Sequence, residues 1–121
     1  MKRGGIAILL TGLMAGLVHA GEVDVLKAVA DRNADGSYRF SVTLRHDDEG
    51  WKHYADRWEV LGPDGTVLGT RILHHPHVDE QPFTRSLSGV RVPEGVREVT
   101  IRAHDSVHQE GGKTFSLVLP Q

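Results

Sequence analysis

The chain has 121 residues, with 14 basic and 16 acidic side chains and a formal net charge of −2 at pH 7. It has no cysteine, and both methionines, Met1 and Met14, fall within the first 20 residues. Residues 21–121 therefore contain no sulfur, which excludes disulfides, thiolate zinc sites, iron–sulfur clusters and blue-copper centres there. Any metal site must be built from imidazole, carboxylate and water.

Residues 1–20 have the pattern of a secretory signal peptide. Lys2 and Arg3 form a basic start, residues 6–18 are almost wholly apolar, and residues 18–20 supply small side chains near a cleavage position. The apolar run is shorter than the roughly 20 residues that a membrane-spanning helix needs. We expect cleavage after Ala20, no membrane insertion afterwards, and a periplasmic or secreted product.

Cleavage would leave residues 21–121, 101 residues in all, which is enough for one domain with a modest core. Lys2 and Arg3 are the only charged residues in the leader, so its removal changes the net charge from −2 to −4. This negative charge disfavours nucleic acid and anionic membranes as partners. Without disulfides, the packed core has to supply most of the stability.

Alternation of apolar and polar side chains predicts strands along the whole domain. Arg71 and Arg85 interrupt the apolar faces of the fourth and fifth strands, which indicates edge positions. Helix is possible only as a short turn within residues 47–56. The predicted strands cover residues 23–30, 38–45, 57–61, 66–73, 83–92, 99–104 and 114–119. The predicted core consists of Phe40, Val42, Leu44, Trp58, Val60, Val99, Ile101, Phe115 and Leu117.

Three segments between the strands carry the residues of tight turns, namely residues 33–36, 63–65 and 93–95. Seven strands with such spacing predict an all-β, antiparallel two-sheet sandwich of the immunoglobulin or fibronectin kind. Residues 87–119 run through an apolar strand, Pro-x-Gly, a strand ending in Ala-x-Asp, a Gly-Gly loop and a final apolar strand. This order resembles the last strands of immunoglobulin and fibronectin domains.

A second resemblance involves the segment HPHVDEQPFTRSL at residues 75–87 and the segment AHDSVH at residues 103–108, with glycines at 111 and 112. Together they resemble a family of small exported bacterial proteins that has no assigned function. The resemblance spans most of residues 21–121. It implies an exported domain and carries over no catalytic or binding residue.

Seven histidines lie beyond the leader, and all fall in the second, fourth and sixth connections between the predicted strands. In an up-and-down chain of antiparallel strands, alternate connections lie at the same end of the fold. We therefore expect these three connections to share one end and the three tight turns to share the other. The histidines are His46, His53, His74, His75, His77, His104 and His108.

The densest group is at residues 74–77. Pro76 biases His75 toward an extended conformation, in which side chains two residues apart point to the same side. His75 and His77 can therefore reach one ion, whereas His74 faces away; Asp79 and Glu80 are possible oxygen ligands. The alternative is a polar loop whose imidazoles cap backbone groups or lie in water.

The other two connections can contribute to the same end, since the second and sixth connections of such domains usually lie side by side. His46 or His53 would then approach His104 or His108. The candidate metal ligands are thus His46, His53, His75, His77, His104 and His108. The candidate ions are Zn(II), Cu(II) and Ni(II), which imidazole suits.

Other polar residues at this end have simpler interpretations. Asp105 shares the inward parity of its strand, and we expect it to accept backbone N–H bonds and so fasten the loop. Ser106, between an acid and a histidine, cannot form a catalytic triad, because sequence neighbours cannot hold that geometry. Residues 47–49 resemble half of a calcium loop but lack its ligand spacing.

Three aromatic side chains, Trp51, Tyr54 and Trp58, lie in or next to the second connection. They can close the core, which is the interpretation we prefer. They can instead form a platform for a sugar or a peptide, because their rings offer apolar faces with polar edges.

Two functions remain open from the sequence. The first is an exported binding domain whose histidine-rich end holds a divalent metal ion. The second is a metal-free module that contacts a protein or a glycan through the same end, with histidines as hydrogen-bonding or pH-responsive groups. A metal-assisted hydrolase would need an open metal position and a base, such as Glu49 or Glu80. The sequence indicates no such geometry, so we expect binding rather than catalysis.

Overall fold

A computed structural model describes residues 21–121; the predicted signal peptide, residues 1–20, lies outside the described residues. The described chain forms seven strands and no helix, so it has no helix with the length and hydropathy needed to cross a membrane. The strands are β1 (Asp24–Arg32), β2 (Tyr38–Arg45), β3 (Ala55–Leu61), β4 (Val67–Ile72), β5 (Phe83–Val90), β6 (Glu98–Asp105) and β7 (Phe115–Val118).

The strands form two antiparallel sheets that enclose one core. One sheet has the order β1-β2-β5 and the other the order β4-β3-β6-β7. Phe40 of the first sheet and Trp58 and Ile101 of the second are fully buried in the same cluster. The predicted all-β fold of seven antiparallel strands is confirmed at this level. The predicted edge positions of β4 and β5 are confirmed as well.

The predicted core is buried except on β7. Phe115 and Leu117 are only partly buried and pack against the margin of the core, because β7 is a short edge strand that pairs with β6 alone. Trp58 is fully buried, as predicted. The predicted residues that are buried are Phe40, Val42, Leu44, Trp58, Val60, Val99 and Ile101.

The six connections divide between the two ends of the sandwich as strand parity predicts. Pro93 lines one cavity together with Gly36 and a neighbouring cavity together with Pro63, which places the three tight turns at one end. The φ angles of Gly36, Gly65 and Gly95 are 89°, 86° and 91°, the left-handed conformation that these turns use. The histidine-bearing connections meet at the opposite end.

Candidate metal centre

The second and fourth connections are joined by the side chain of Gln81. Its Oε1 accepts a hydrogen bond of 2.9 Å from the backbone N–H of His46. Its Nε2 donates a bond of 2.9 Å to the carbonyl oxygen of His77. The two loops are therefore fixed relative to each other by a bidentate amide.

A buried carboxylate, Asp48, strengthens this junction. Its Oδ1 bonds to Nδ1 of His46 and accepts a 3.1 Å bond from the backbone N–H of Ala55. Its Oδ2 accepts a 2.7 Å bond from the backbone N–H of His77. The side chains of Asp48 and His46 are both fully buried. Asp48 thus holds the His46 ring in one orientation by bonding its far nitrogen.

The sixth connection approaches on the other side of the His46 ring. Nε2 of His46 lies 3.3 Å from Nε2 of His53 and 3.3 Å from Oδ2 of Asp105. Nε2 of His53 lies 3.6 Å from the same carboxylate oxygen. Among residues 21–121, this is the one group of at least three potential ligand residues whose atoms all lie within 4.8 Å of one another.

A main-chain oxygen completes the group. The carbonyl oxygen of Gly21 lies 2.8 Å from Nε2 of His46 and 3.0 Å from Nε2 of His53. Gly21 has a φ of +91°, and a Cβ atom built there would lie 2.8 Å from Cε1 of His108. A larger residue would be strained by the positive φ angle and would displace the His108 ring, so this close approach of the main chain favours glycine.

The hydrogen-bond roles of the two imidazoles follow from their carboxylate partners. Nδ1 of His46 faces Asp48, and Nδ1 of His53 lies 2.7 Å from Oε1 of Glu49. Since a carboxylate oxygen only accepts, Nδ1 carries the hydrogen in each ring. The Nε2 atom of a neutral ring then carries a lone pair, whereas the Nε2–H of a protonated ring can donate to the Gly21 oxygen or to Asp105. The two Nε2 atoms thus face both Oδ2 of Asp105 and the Gly21 carbonyl oxygen, and in their neutral forms they can bind a cation.

The electrostatics of Asp105 favour a cation at that point. Burial raises the pKa of Asp105, but hydrogen bonds from the backbone N–H groups of His108 and Val107 and from the His108 ring outweigh this effect. The pKa therefore lies below its ordinary value, and Asp105 is a carboxylate at neutral pH. The predicted fastening of the loop by Asp105 is confirmed, because its Oδ1 accepts both backbone bonds.

The negative charge of Asp105 also acts on His53. Burial lowers the pKa of His53, but hydrogen bonding to Glu49 and to the Gly21 carbonyl, together with the charge of Asp105, outweighs burial and raises it. A proton and a metal cation are attracted by the same lone pairs. The raised pKa indicates that this position favours positive charge, whether that of a proton or that of a metal ion.

The separations among the three side-chain donor atoms are close to those around a small divalent ion, whereas the Gly21 oxygen, at 2.8 and 3.0 Å from the two Nε2 atoms, is closer than tetrahedral geometry requires. Two ligand atoms bound about 2.1 Å from one ion at near-tetrahedral angles lie about 3.4 Å apart. The three separations among the two Nε2 atoms and Oδ2 are 3.3, 3.3 and 3.6 Å. Carboxylates bonded to the far nitrogens of both rings are the usual supporting shell of histidine ligands, and Asp48 and Glu49 provide it here.

Two predicted ligands of the sixth connection have different positions. Nδ1 of His108 bonds to Oδ2 of Asp105 at 3.1 Å, and its ring lies 5.0 Å from that of His53. His108 therefore covers the cluster and supports Asp105. His104 lies on the outer face of β6, where its Nδ1 bonds to Asp56 at 2.6 Å, so the structure does not bring it to the cluster.

The predicted ligands of the fourth connection form a separate pair. The rings of His75 and His77 lie 5.0 Å apart, and His77 is buried and stacked on Phe83 at 4.1 Å. Among the described residues, neither ring nitrogen of His77 has a hydrogen-bond partner. Its Nδ1 is 4.0 Å from Asp48. The pair thus lies beyond the carboxylate that supports His46, outside the cluster itself.

The aromatic residues of the second connection divide into core and surface. Trp58 is in the core, whereas Trp51 is 67% exposed. The rings of Trp51 and Tyr54 meet edge to face at 5.6 Å. Trp51 therefore does not close the core, which corrects the interpretation we preferred for it.

Three residues of the site were not predicted as such: Gly21, Asp48 and Asp105. Strand parity indicates in part which side chains point into this end of the fold. His46 continues the inward series Phe40, Val42, Leu44, and Asp105 continues the inward series of β6. The position of Gly21 depends on how the segment before β1 folds back, for which the sequence shows no pattern.

Comparisons with known proteins add one relative. No protein-family model matches the chain, and no solved structure matches it. The chain is similar to a protein of Halomicrobium mukohataei described as a "Putative lipoprotein", with 42% identity over 94 residues. The matched segment is 78% of this chain and 46% of the relative. The chain thus spans less than half the length of that relative, whose description applies to a longer protein.

Proposed function

We propose that residues 21–121 form an exported binding domain that holds one divalent transition-metal ion. The proposed ligands are Nε2 of His46, Nε2 of His53, Oδ2 of Asp105 and the carbonyl oxygen of Gly21. The candidate ions are Zn(II), Cu(II) and Ni(II), because imidazole suits all three and no sulfur is available among these residues. The role is binding rather than catalysis.

The convergence of four electron-pair donors is the single observation that carries this proposal. Two imidazoles whose Nε2 atoms are 3.3 Å apart, and whose Nδ1 atoms bond to carboxylates, present two lone pairs to one point. A buried carboxylate with a lowered pKa faces the same point. Burial of such groups is costly unless a cation offsets their mutual repulsion. A divalent ion satisfies all four donors at once.

The proposed location is the cell envelope or the exterior. The basic, apolar and small-residue pattern of residues 1–20 supports export. The description of the relative as a lipoprotein supports an envelope protein as well. We also propose that the sandwich is of the fibronectin or immunoglobulin kind. Its order, β1-β2-β5 and β4-β3-β6-β7, differs from a constant immunoglobulin domain only in that β4 pairs with β3 rather than with β5.

Calorimetric titration of residues 21–121 with each of the three ions tests the proposal. We expect one ion per chain with a dissociation constant tighter than about 100 µM, which corresponds to about −5.5 kcal/mol. The bound ion should raise the thermal midpoint, because it binds the folded site better than the unfolded chain. Affinity should fall between about pH 7 and pH 5, as protons compete for the imidazoles.

Two matched variants identify the site. His53→Ala removes a ligand whose side chain is 14% exposed, so the fold should tolerate it. His104→Ala removes an imidazole of similar exposure that bonds to Asp56 outside the cluster. Loss of binding in the first variant and unchanged binding in the second supports the proposal. Equal binding by both variants would refute this ligand set.

A separate observation supports a second candidate function, the binding of a protein or a glycan. Each of the three histidine-bearing connections carries one exposed apolar side chain, namely Trp51, Val78 and Val107. Exposed apolar groups rimmed by polar residues are typical of protein-contact surfaces. If no ion binds, we propose that this end contacts a protein or a glycan. Trp51→Ser should then weaken the capture of that partner without changing the thermal midpoint.

A further inference from the structure

The first residues of β1 are attached to the sixth connection, and they fix the position of the segment that precedes them. The side chain of Val23 is buried. The backbone N–H of Val25 donates a 2.8 Å bond to the carbonyl of Lys113, and the backbone N–H of Lys113 donates a 2.8 Å bond to Oδ1 of Asp24. Gly21, two residues before Val23, is therefore brought to the cluster by paired backbone and side-chain contacts.

Gly21 is also the residue that predicted leader cleavage would make the first of the chain. Hydrolysis of the Ala20–Gly21 peptide bond adds one water molecule, leaving a carboxylate on Ala20 and a free amino group on Gly21. The amide nitrogen of the uncleaved chain has no lone pair available for a metal. A terminal amine, with a reference pKa of about 7.7–8.0, has one once it loses its proton.

We propose that this amino group is a further ligand of the same ion, so that leader removal completes the metal centre. The proposal rests on the metal-binding function proposed above. Two carbon atoms separate the amino nitrogen of Gly21 from its carbonyl oxygen, which lies 2.8 and 3.0 Å from the two imidazole nitrogens. Nitrogen and oxygen of one residue can therefore bind one ion in a five-membered ring.

The surroundings of Gly21 agree with this role. A Cβ atom built at Gly21 would lie 2.8 Å from Cε1 of His108 and 3.5 Å from Cε1 of His53, so the α-carbon itself borders the cluster. The ring of His108 covers the residue on one side. The carbonyl oxygen of the same residue contacts both Nε2 atoms, and these lie 3.3 and 3.6 Å from Oδ2 of Asp105. This environment favours a metal-bound amine over a freely solvated one.

This set of ligands determines which metal the centre prefers and whether the metal binds before or after leader removal. With the amine, the centre offers three nitrogen and two oxygen donors, and nitrogen-rich sets of this kind suit Cu(II) more than Zn(II). In the uncleaved chain the third nitrogen is absent. High-affinity Cu(II) binding is therefore confined to the exported, processed protein.

The first test is the intact mass of the protein recovered after export from its own host. We expect a chain that begins at Gly21. A different first residue in the exported protein would overturn the inference, while leaving the four side-chain and carbonyl ligands of the proposed function to be judged by the titrations.

The second test compares three forms of the domain with Cu(II) alone as the probe. One begins at Gly21 with a free amine, one carries an acetyl group on that nitrogen, and one begins at Ala20. The free form should bind Cu(II) at least about tenfold more tightly than the acetylated form, because a second donor on one residue binds as an intramolecular group. The Ala20 form should resemble the acetylated form.

Electron paramagnetic resonance of the Cu(II) complexes distinguishes an amino group that binds the ion from one that affects only the structure of the chain terminus. We expect three coupled nitrogens in the free form and two in the acetylated form. Equal affinity and equal nitrogen count in both forms, with binding still abolished by His53→Ala, would overturn this inference and leave the proposed function standing. Absence of Cu(II) binding in all three forms, together with no binding of Zn(II) or Ni(II) in the titrations that test the proposed function, would overturn both.

Discussion

The Nε2 atoms of His46 and His53 lie 3.3 Å apart at one end of the sandwich, and each ring has a carboxylate at its other nitrogen. Two neutral rings held this way direct two lone pairs at each other, and two protonated rings would direct two positive charges. A single proton shared by the pair, donated to the other ring or to Asp105, relieves this repulsion. A divalent ion between the rings, with Asp105 as a further ligand, relieves it as well and engages both lone pairs.

Asp105→Asn should separate the two roles of this residue, which are to accept the backbone bonds of the loop and to bind the metal ion. The amide oxygen of asparagine can still accept the backbone bonds of Val107 and His108, so we expect the fold to be retained. The ligand oxygen and its charge are lost, and metal affinity should fall by at least about 10–100-fold, the range for weakening even a supporting contact. Calorimetric titration with Zn(II) and a thermal melt of the same sample measure both effects. A variant that binds as tightly as the parent would contradict the assigned role of Asp105.

Asp48→Ala should reduce stability even without metal. The substitution leaves the His46 ring and the buried backbone N–H groups of Ala55 and His77 without their acceptor. Each unsatisfied buried group costs about 1–3 kcal/mol, so we expect a loss of several kcal/mol in the free energy of unfolding. Urea denaturation measures this loss. The control is Asp47→Ala, an exposed neighbour whose removal should change the value by about 0.5 kcal/mol or less. Similar results for the two would show that Asp48 is not the junction of the loops.

His77 should make the metal-free domain less stable in acid. Burial, together with the charges of Arg85 and His75, lowers the pKa of His77 below its ordinary value of 6.5, against the opposing charges of Asp48 and Glu80. The folded state therefore binds fewer protons than the unfolded state once the pH falls below about 6.5. The stability contributed by His77 is present above that pH and is lost as the pH falls through its folded-state pKa.

His77→Phe tests this assignment. Phenylalanine keeps a ring against Phe83, and the ring nitrogens it removes have no hydrogen-bond partner among the described residues. The variant should match the parent near pH 7 and lose less unfolding free energy toward about pH 5. His74→Phe, at an exposed position, is the control. If the unfolding free energies of the parent and of His77→Phe fall in parallel with pH, His77 is not the source of the loss of stability in acid.

Trp58→Ala and Trp51→Ala should differ sharply in stability. Trp58 is fully buried and Trp51 is 67% exposed. Truncation of a buried tryptophan costs about 3–5 kcal/mol, against a total stability of roughly 5–15 kcal/mol for a domain of this kind. Trp51→Ala should cost about 0.5 kcal/mol or less. Thermal denaturation of both variants measures the difference, and an unchanged midpoint for Trp58→Ala would contradict its place in the core.

The strands and the ends of the fold were predictable because they depend on local chemistry. Alternation marks the half-buried strands, and glycine in the turns marks the reversals. Parity then places all three histidine-bearing connections together. Phe115 and Leu117 were less buried than predicted, because alternation shows which way a side chain points but not that its strand is a short edge.

The composition of the site was only partly predictable, because it depends on the path of the loops. His104 alternates with the inward residues Ala103 and Asp105, so its outward position followed from strand parity. His53 reaches the cluster through the fold of the second connection, which no periodic pattern describes. Gly21 arrives from the segment before β1. Its contribution is a main-chain oxygen, which residue types do not reveal.

Anomalous X-ray scattering from crystals of residues 21–121 grown with Zn(II) tests directly whether an ion binds at the cluster. We predict one strong peak within about 2.0–2.2 Å of Nε2 of His46, Nε2 of His53 and Oδ2 of Asp105. A structure from Zn(II)-containing crystals without a peak between these three atoms, or with its strongest peak at His75 and His77 instead, would contradict it.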